Sequence, residues 1–182
     1  VESAAVALPM TGIVVPVREA ETVVRSRALQ VQPALLPRDR STAAHITLLA
    51  PFRAPDLIDD GVIRHLQSLF AEIASFTFEL TEVCEFPSGI TYLAPEPAAT
   101  FRWLTQQLHH AFPEFPPYGG AFDDIVPHLT VPLAPGEDSD SLRATLTAGL
   151  PIQAHALEAT LVQVAEDDTR VLATLPFGNS AA

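Results

Sequence analysis

Apolar and polar positions alternate between two periods along this chain, and the same succession of periods is written twice. Val14-Val15-Pro16-Val17, after a Thr-Gly-Ile start, has the composition of a strand. Ala20, Val23, Val24 and Ala28 then recur at three- and four-residue spacing, which predicts a helix over roughly 19–31. A short apolar strand follows, Ala44-His45-Ile46-Thr47-Leu48-Leu49. The next helical stripe carries Ile63, Leu66, Phe70 and Ile73, with Asp59 or Asp60 placed to cap it. A strand near 76–86 closes this half.

The second copy starts at Gly89-Ile90-Thr91-Tyr92-Leu93-Ala94-Pro95. Phe101, Leu104, Leu108 and Ala111 predict a helix over roughly 98–112. Pro127-His128-Leu129-Thr130-Val131 matches the earlier histidine strand and lies about half the chain away from it. Ser139 or Asp140 can cap a further helix with Leu142 and Leu146 inward. A strand region near 152–164 and a hairpin turning at Glu166-Asp167-Asp168 into 170–175 complete the pattern. Segments 50–60 and 134–140, rich in Pro and acidic residues, read as loops. The expected architecture is α+β: a single bilobal, duplicated domain over 1–182, with approximate halves 11–87 and 88–178.

Length and composition agree with one such unit, since 182 residues with 48% apolar content supply a sizeable core. No apolar run is long enough to span a membrane as a helix. Residues 1–9 lack a basic lead and a cleavage pattern, so a loose terminus is expected rather than a signal peptide, and the cytoplasm is the expected location. The lone cysteine, Cys84, cannot form an internal disulfide and is expected to be buried filler. Charge narrows the partners further. Twenty-two acidic residues face ten basic ones, for a formal net charge of −12, and every basic residue is arginine. A long nucleic acid is gripped by neutralising many phosphates, which this chain is poorly equipped to do. A small phosphorylated ligand in a local pocket remains compatible.

The chemistry rests on the two matched strands. Residues two apart in a strand share a face, so His45 sits with Thr47 and His128 with Thr130, opposite their aliphatic neighbours. Lobes that face one another would bring two imidazoles and two hydroxyls to one cleft. In-line displacement at phosphorus wants a base and an acid on opposite sides, and histidine can serve as either near neutral pH. The hydroxyls could hold the non-bridging oxygens. A cleft of His and Thr lacks the usual third protein donor of a two-histidine metal site, although Asp123 or Asp124 could supply one; no metal and no cofactor is called for.

His45-Ile46-Thr47-Leu48-Leu49-Ala50-Pro51-Phe52 and Phe122-Asp123-Asp124-Ile125-Val126-Pro127-His128-Leu129-Thr130 resemble the paired signatures of the 2H phosphoesterase superfamily, in its 2′-5′ RNA ligase-like, cyclic phosphodiesterase branch. Leu175-Pro176-Phe177-Gly178 is similar to that family's closing strand, and the likeness covers roughly 11–178. The resemblance implies two antiparallel sheets lining a central cleft, helices outside, and strands that can be exchanged between halves. It implies hydrolysis of a cyclic or 2′-5′-linked nucleotide phosphodiester, with His45 and His128 catalytic and Thr47 and Thr130 binding phosphate. The chain is more acidic than RNA-processing members of the family, which weighs against RNA joining.

Phe52, Arg53, Tyr118 and Phe122, together with the Gly119-Gly120 turn, flank the two motifs and are candidates for substrate contact through stacking or phosphate grip. His65, His109, His110 and His155 read as structural or solvated, and Trp103 as a packing residue beside Leu104 and Leu108. A monomer is expected. Two other functions fit the same residues: a nucleotide- or phosphate-sensing module that binds in the cleft without turnover, and an interaction domain working through its acidic surface.

Overall fold

The computed structural model describes residues 8–31, 33, 36–37, 42–121, 124–166 and 168–178. Among these, eight strands and four α-helices follow in the order β1 (Met10–Pro16), α1 (Glu21–Val31), β2 (His45–Leu49), α2 (Asp60–Ala71), β3 (Phe76–Glu85), β4 (Thr91–Glu96), α3 (Ala98–Ala111), β5 (Leu129–Thr130), α4 (Ser139–Ala148), β6 (Ile152–Ala156), β7 (Glu158–Val164) and β8 (Thr169–Pro176). They build two four-stranded antiparallel sheets, ordered β2-β1-β7-β8 and β5-β4-β3-β6. The fold is α+β, and it is bilobal.

The first sheet draws its strands from the two ends of the chain, the second from the middle. β3, the closing strand of the first half, pairs with β4 of the second. Its counterpart β7 returns to pair with β1. The first half of the sequence therefore donates β3 to the sheet of the second, and the second half donates β7 and β8 to the sheet of the first.

Alternation decides which face of each sheet is covered. Ile13 and Val15 of β1, Ile46 and Leu48 of β2, and Leu161 and Leu175 of β7 and β8 are buried on one face of the first sheet. Helix α2 packs against β8, and α3 against β2 and β4. Leu66 and Phe70 from α2, and Phe101, Leu104 and Leu108 from α3, fill that layer as their spacing predicts. Phe78, Leu80, Leu93 and Leu129 of the second sheet join the same core cluster. Edge-to-face aromatic pairs such as Phe78–Phe101, at 4.9 Å between centroids, tie the layers together.

Several details depart from the sequence reading. The second histidine strand is only two residues long, and His128 sits just ahead of it. Pro127 and Pro132 bracket the segment and offer no N–H to a ladder, although Val131 still donates to the Thr91 carbonyl at 3.0 Å. The region 152–164 is two strands in different sheets, with the chain crossing over at exposed Leu157. Asp138, rather than Ser139 or Asp140, caps α4: its side chain accepts from the Ser141 N–H at 2.8 Å. Asp59 caps α2 in the same way through the Val62 N–H. Trp103 is 44% exposed, because it lies off the Phe101/Leu104/Leu108 stripe. Cys84 is half-buried and stands opposite Tyr92 on an accessible sheet face, so it is not interior filler. No described helix is long and apolar enough to cross a membrane.

Candidate active site

β2 and β5, the strands of the two His-x-Thr pairs, approach each other where the sheets meet. Ile46 and Leu48 point into the core, which turns His45 and Thr47 to the other face; Leu129 and Val131 do the same for His128 and Thr130. His45, Thr47 and Thr130 line a cavity of about 550 Å³ that opens between the sheets. His128 is two residues from Thr130 in the chain, and the two imidazoles are near enough that charge on His128 disfavours charge on His45.

Both rings are held in the same manner. His45 Nδ1 lies 2.7 Å from the Ala43 carbonyl oxygen, and His128 Nδ1 lies 2.8 Å from that of Val126. A carbonyl oxygen can only accept, so Nδ1 carries the proton in each ring, and Nε2 of the neutral form keeps a free lone pair. In both cases the carbonyl belongs to the residue two positions upstream. The same local geometry thus sets the tautomer at both sites.

The surroundings then differ. His45 is solvent-accessible yet sunk between the sheets, and burial pushes its pKa below the ordinary value. The Ala43 hydrogen bond opposes that shift, His128 adds to it, and Glu21 opposes it more weakly. His128 instead sits in an aromatic enclosure. Phe86 and Tyr92 present their rings at 5.0 and 5.7 Å, steeply inclined to it, and Tyr118 lies at 6.3 Å with an interplanar angle of 25°. Phe86 and Tyr92 stack on each other at 4.3 Å. Tyr118 reaches this position from a left-handed backbone conformation, φ 52° and ψ 31°, just before Gly119 at φ 64°. A non-glycine residue in that region is strained and needs its surroundings to hold it. Burial raises the pKa of its hydroxyl.

Of the flanking candidates, Tyr118 stands at the site. Phe52 does not: it is a core residue, 5% exposed, with Phe112 and Phe115 edge-on at 5.1 and 5.0 Å. Arg53 lays its guanidinium over the same rings and pairs with Glu114 at 2.8 Å. The chain after β2 is turned that way by two bonds to β1, Phe52 N–H to the Thr11 carbonyl at 2.8 Å and Thr11 Oγ1 to the Arg53 carbonyl at 2.7 Å. Phe122 lies outside the described residues, as does Asp123. His65 is exposed on α2, and His155 is exposed on β6 with Nδ1 3.6 Å from Glu19. Among the described residues no group of three His, Cys, Asp or Glu side chains could hold a metal ion.

This chain and its fold have relatives. The family model described as the 2′-5′ RNA ligase superfamily matches residues 16–168. The chain belongs to this superfamily. It thereby stands among the 2H phosphoesterases. A Bacillus licheniformis protein named as a candidate phosphoesterase is 32% identical over 107 residues, which are 54% of this chain and 58% of that relative's length. The match thus spans less than two thirds of the curated relative. The crystal structure of TT0787 from Thermus thermophilus shares the fold with a TM-score of 0.58 at 17% identity, covering 94% of this chain and all of that one. Escherichia coli LigT, crystallised with 3′-AMP, gives a TM-score of 0.54 at 17% identity over 93% of this chain and 98% of its own. LigT has also been crystallised with ATP, with a TM-score of 0.56 at 16% identity over 94% and 99% of the two chains.

Phe86 and Tyr92 stand beside His128 and Glu21 beside the entry to His45, and the sequence reading gave none of them a part in the site. Period-two alternation sends Tyr92 to the face opposite Leu93, which is a usable signal. Its place beside Thr130 follows only from the β4–β5 register.

Proposed function

We propose that this superfamily member hydrolyses a small phosphodiester, cyclic or 2′-5′-linked and nucleotide-derived, with His45 as general base and His128 as general acid. One observation carries the reading: two imidazoles share the same Nδ1 anchoring to a carbonyl two residues upstream and lie near enough for the charge of one to act on the other. Burial keeps His45 neutral near neutral pH, the state a base needs. Charge on His128 disfavours charge on His45, which suits a base facing an acid across one phosphorus.

In the reaction His45 Nε2 takes a proton from water as the water oxygen bonds to phosphorus. The opposite P–O bond breaks, and His128 gives its proton to the departing alkoxide, leaving a phosphate monoester. Thr47 and Thr130 donate hydroxyl hydrogen bonds to the non-bridging oxygens and stabilise the charge that gathers there. The aromatic enclosure of His128 offers ring faces to a base. LigT, which shares the fold, has been crystallised with 3′-AMP, ATP, NADP+ and phosphate, ligands of the size this cleft would take.

Incubation of the protein with 2′,3′-cyclic AMP, followed by chromatography, tests the reading. Conversion to a monophosphate is expected, along with its loss in His45→Ala and His128→Ala. Tight binding with the ligand unchanged would make the protein a sensor, and turnover undiminished in either variant would remove that histidine from the mechanism.

A further inference from the structure

We infer that the phosphodiester carries an apolar group, aliphatic or aryl, seated on the first sheet beside the phosphate. The inference rests on the phosphodiesterase reading above and narrows its substrate away from the 2′-5′-linked option.

The registers of the first sheet give the cavity floor row by row. His45 stands beside Pro16. The adjoining row is Thr47, Val14, Thr160 and Thr174. Beyond it come Gly12, Val162 and Val171, then Met10 and Val164. All of these line the cavity, and Val24, Ala28 and Val31 of α1 flank it from the side. The floor thus turns from hydroxyl-bearing next to His45 to mostly aliphatic away from it, with Thr169 beside Val164 as the one hydroxyl of the outer rows. An antiparallel sheet with one solvated face places polar residues there. This sheet is apolar over much of its cavity side, at Met10, Val14, Val162, Val164 and Val171, as well as on its core side, the pattern of a face that something apolar is meant to cover.

Charge points the same way. Among the described residues of the cavity wall, Arg18 is the only basic one other than His45, and its guanidinium is held by Glu158 at 2.6 Å. No described side chain of the apolar rows is placed to neutralise a second phosphate. On the second sheet the face that carries Thr130 and Tyr92 also carries Glu82 and, beyond the bulge, Glu79 and Glu96. Among the described residues, a polynucleotide leaving the phosphate site would meet mostly aliphatic side chains on one side and carboxylates on the other. Either path is unfavourable for a polyanion. A base edge over Val162, Val164 and Val171 would leave most of its donors and acceptors facing aliphatic side chains, with only the Thr169 hydroxyl in those rows as a described side-chain partner. An uncharged alkyl or aryl group fits without either penalty, and about 550 Å³ is ample for one.

Calorimetric titration of the full chain with methyl, butyl and hexyl phosphate tests this, with a 2′-5′-linked dinucleotide as the comparison. Affinity should rise by roughly threefold to fourfold for each added methylene. Ala28→Trp, which projects an indole into the cavity from α1, should flatten that rise. A series that is flat in the unaltered protein overturns the inference, as does a dinucleotide that binds more tightly than hexyl phosphate, or a gradient that survives Ala28→Trp. Methyl phosphate that fails to bind, or binds undiminished in His45→Ala and His128→Ala, sinks the catalytic reading instead. A flat series on a histidine-dependent phosphate site sinks this inference alone.

Discussion

The Glu21 carboxylate accepts a hydrogen bond at 2.9 Å from the backbone N–H of Ala44, one residue ahead of the catalytic candidate His45. Through it the first turn of α1 fixes the entry to β2. The same carboxylate favours the protonated imidazole, though less than burial opposes it. Glu21→Gln keeps an acceptor for Ala44 and removes the charge. The His45 pKa should then fall further, and the acidic limb of kcat/KM should move to lower pH while KM changes little. A limb that stays in place would show that Glu21 acts on the strand alone.

The unaltered protein should show an acidic limb whose midpoint lies below about 6.5, the ordinary histidine value. The sign follows from the base role: burial lowers the pKa, so His45 remains neutral to a lower pH than a free imidazole and activity persists there. A pH series of kcat/KM on 2′,3′-cyclic AMP measures it. A midpoint at or above the ordinary value would assign the base elsewhere.

Thr47→Val and Thr130→Val remove a hydroxyl at nearly constant volume. Hydrogen bonds to charged groups contribute about 1.5–3 kcal/mol, so each change should lower kcat/KM by roughly tenfold to a hundredfold. The loss should fall mainly on kcat, because the charge on the non-bridging oxygens is greatest in the transition state. Steady-state kinetics of the two variants decides it, and a pure KM effect would reduce the threonines to ground-state binders.

Gly178 tests the closing segment rather than the chemistry. Its N–H donates to the Ile73 carbonyl at 2.8 Å, and its own carbonyl accepts from Ser75 at 2.9 Å. A Cβ there would collide with the Ala71 carbonyl oxygen. Gly178→Ala should cost about 1–3 kcal/mol or more in urea unfolding. An unchanged midpoint would mean that the segment is not tied to α2.

The two His-x-Thr pairs were legible because a two-residue period is a local property: Ile46 and Leu129 had to go inward, so their neighbours had to go out. The helices were legible for the same reason at a longer period. What escaped was non-local. Residues 152–164 form a nearly unbroken β-prone run, and nothing at Leu157 announces a change of sheet. Tyr92 and Phe86 read as ordinary strand aromatics until the register sets them around His128. Phe52 follows its motif directly, yet the turn fixed by Thr11 sends it into the core. Trp103 was readable after all, since its position falls outside the stripe of its own helix.

The exchange of β3 for β7 and β8 has a further consequence. Because each half of the chain completes its neighbour's sheet, neither half can be released by a single cut in the turn before β4 and still keep its own hydrogen-bonded edge covered. The two jaws of the cleft are laced together by crossing chain rather than joined at one hinge. The gap between the histidines is therefore a property of the whole weave, set when the last strands are laid in place.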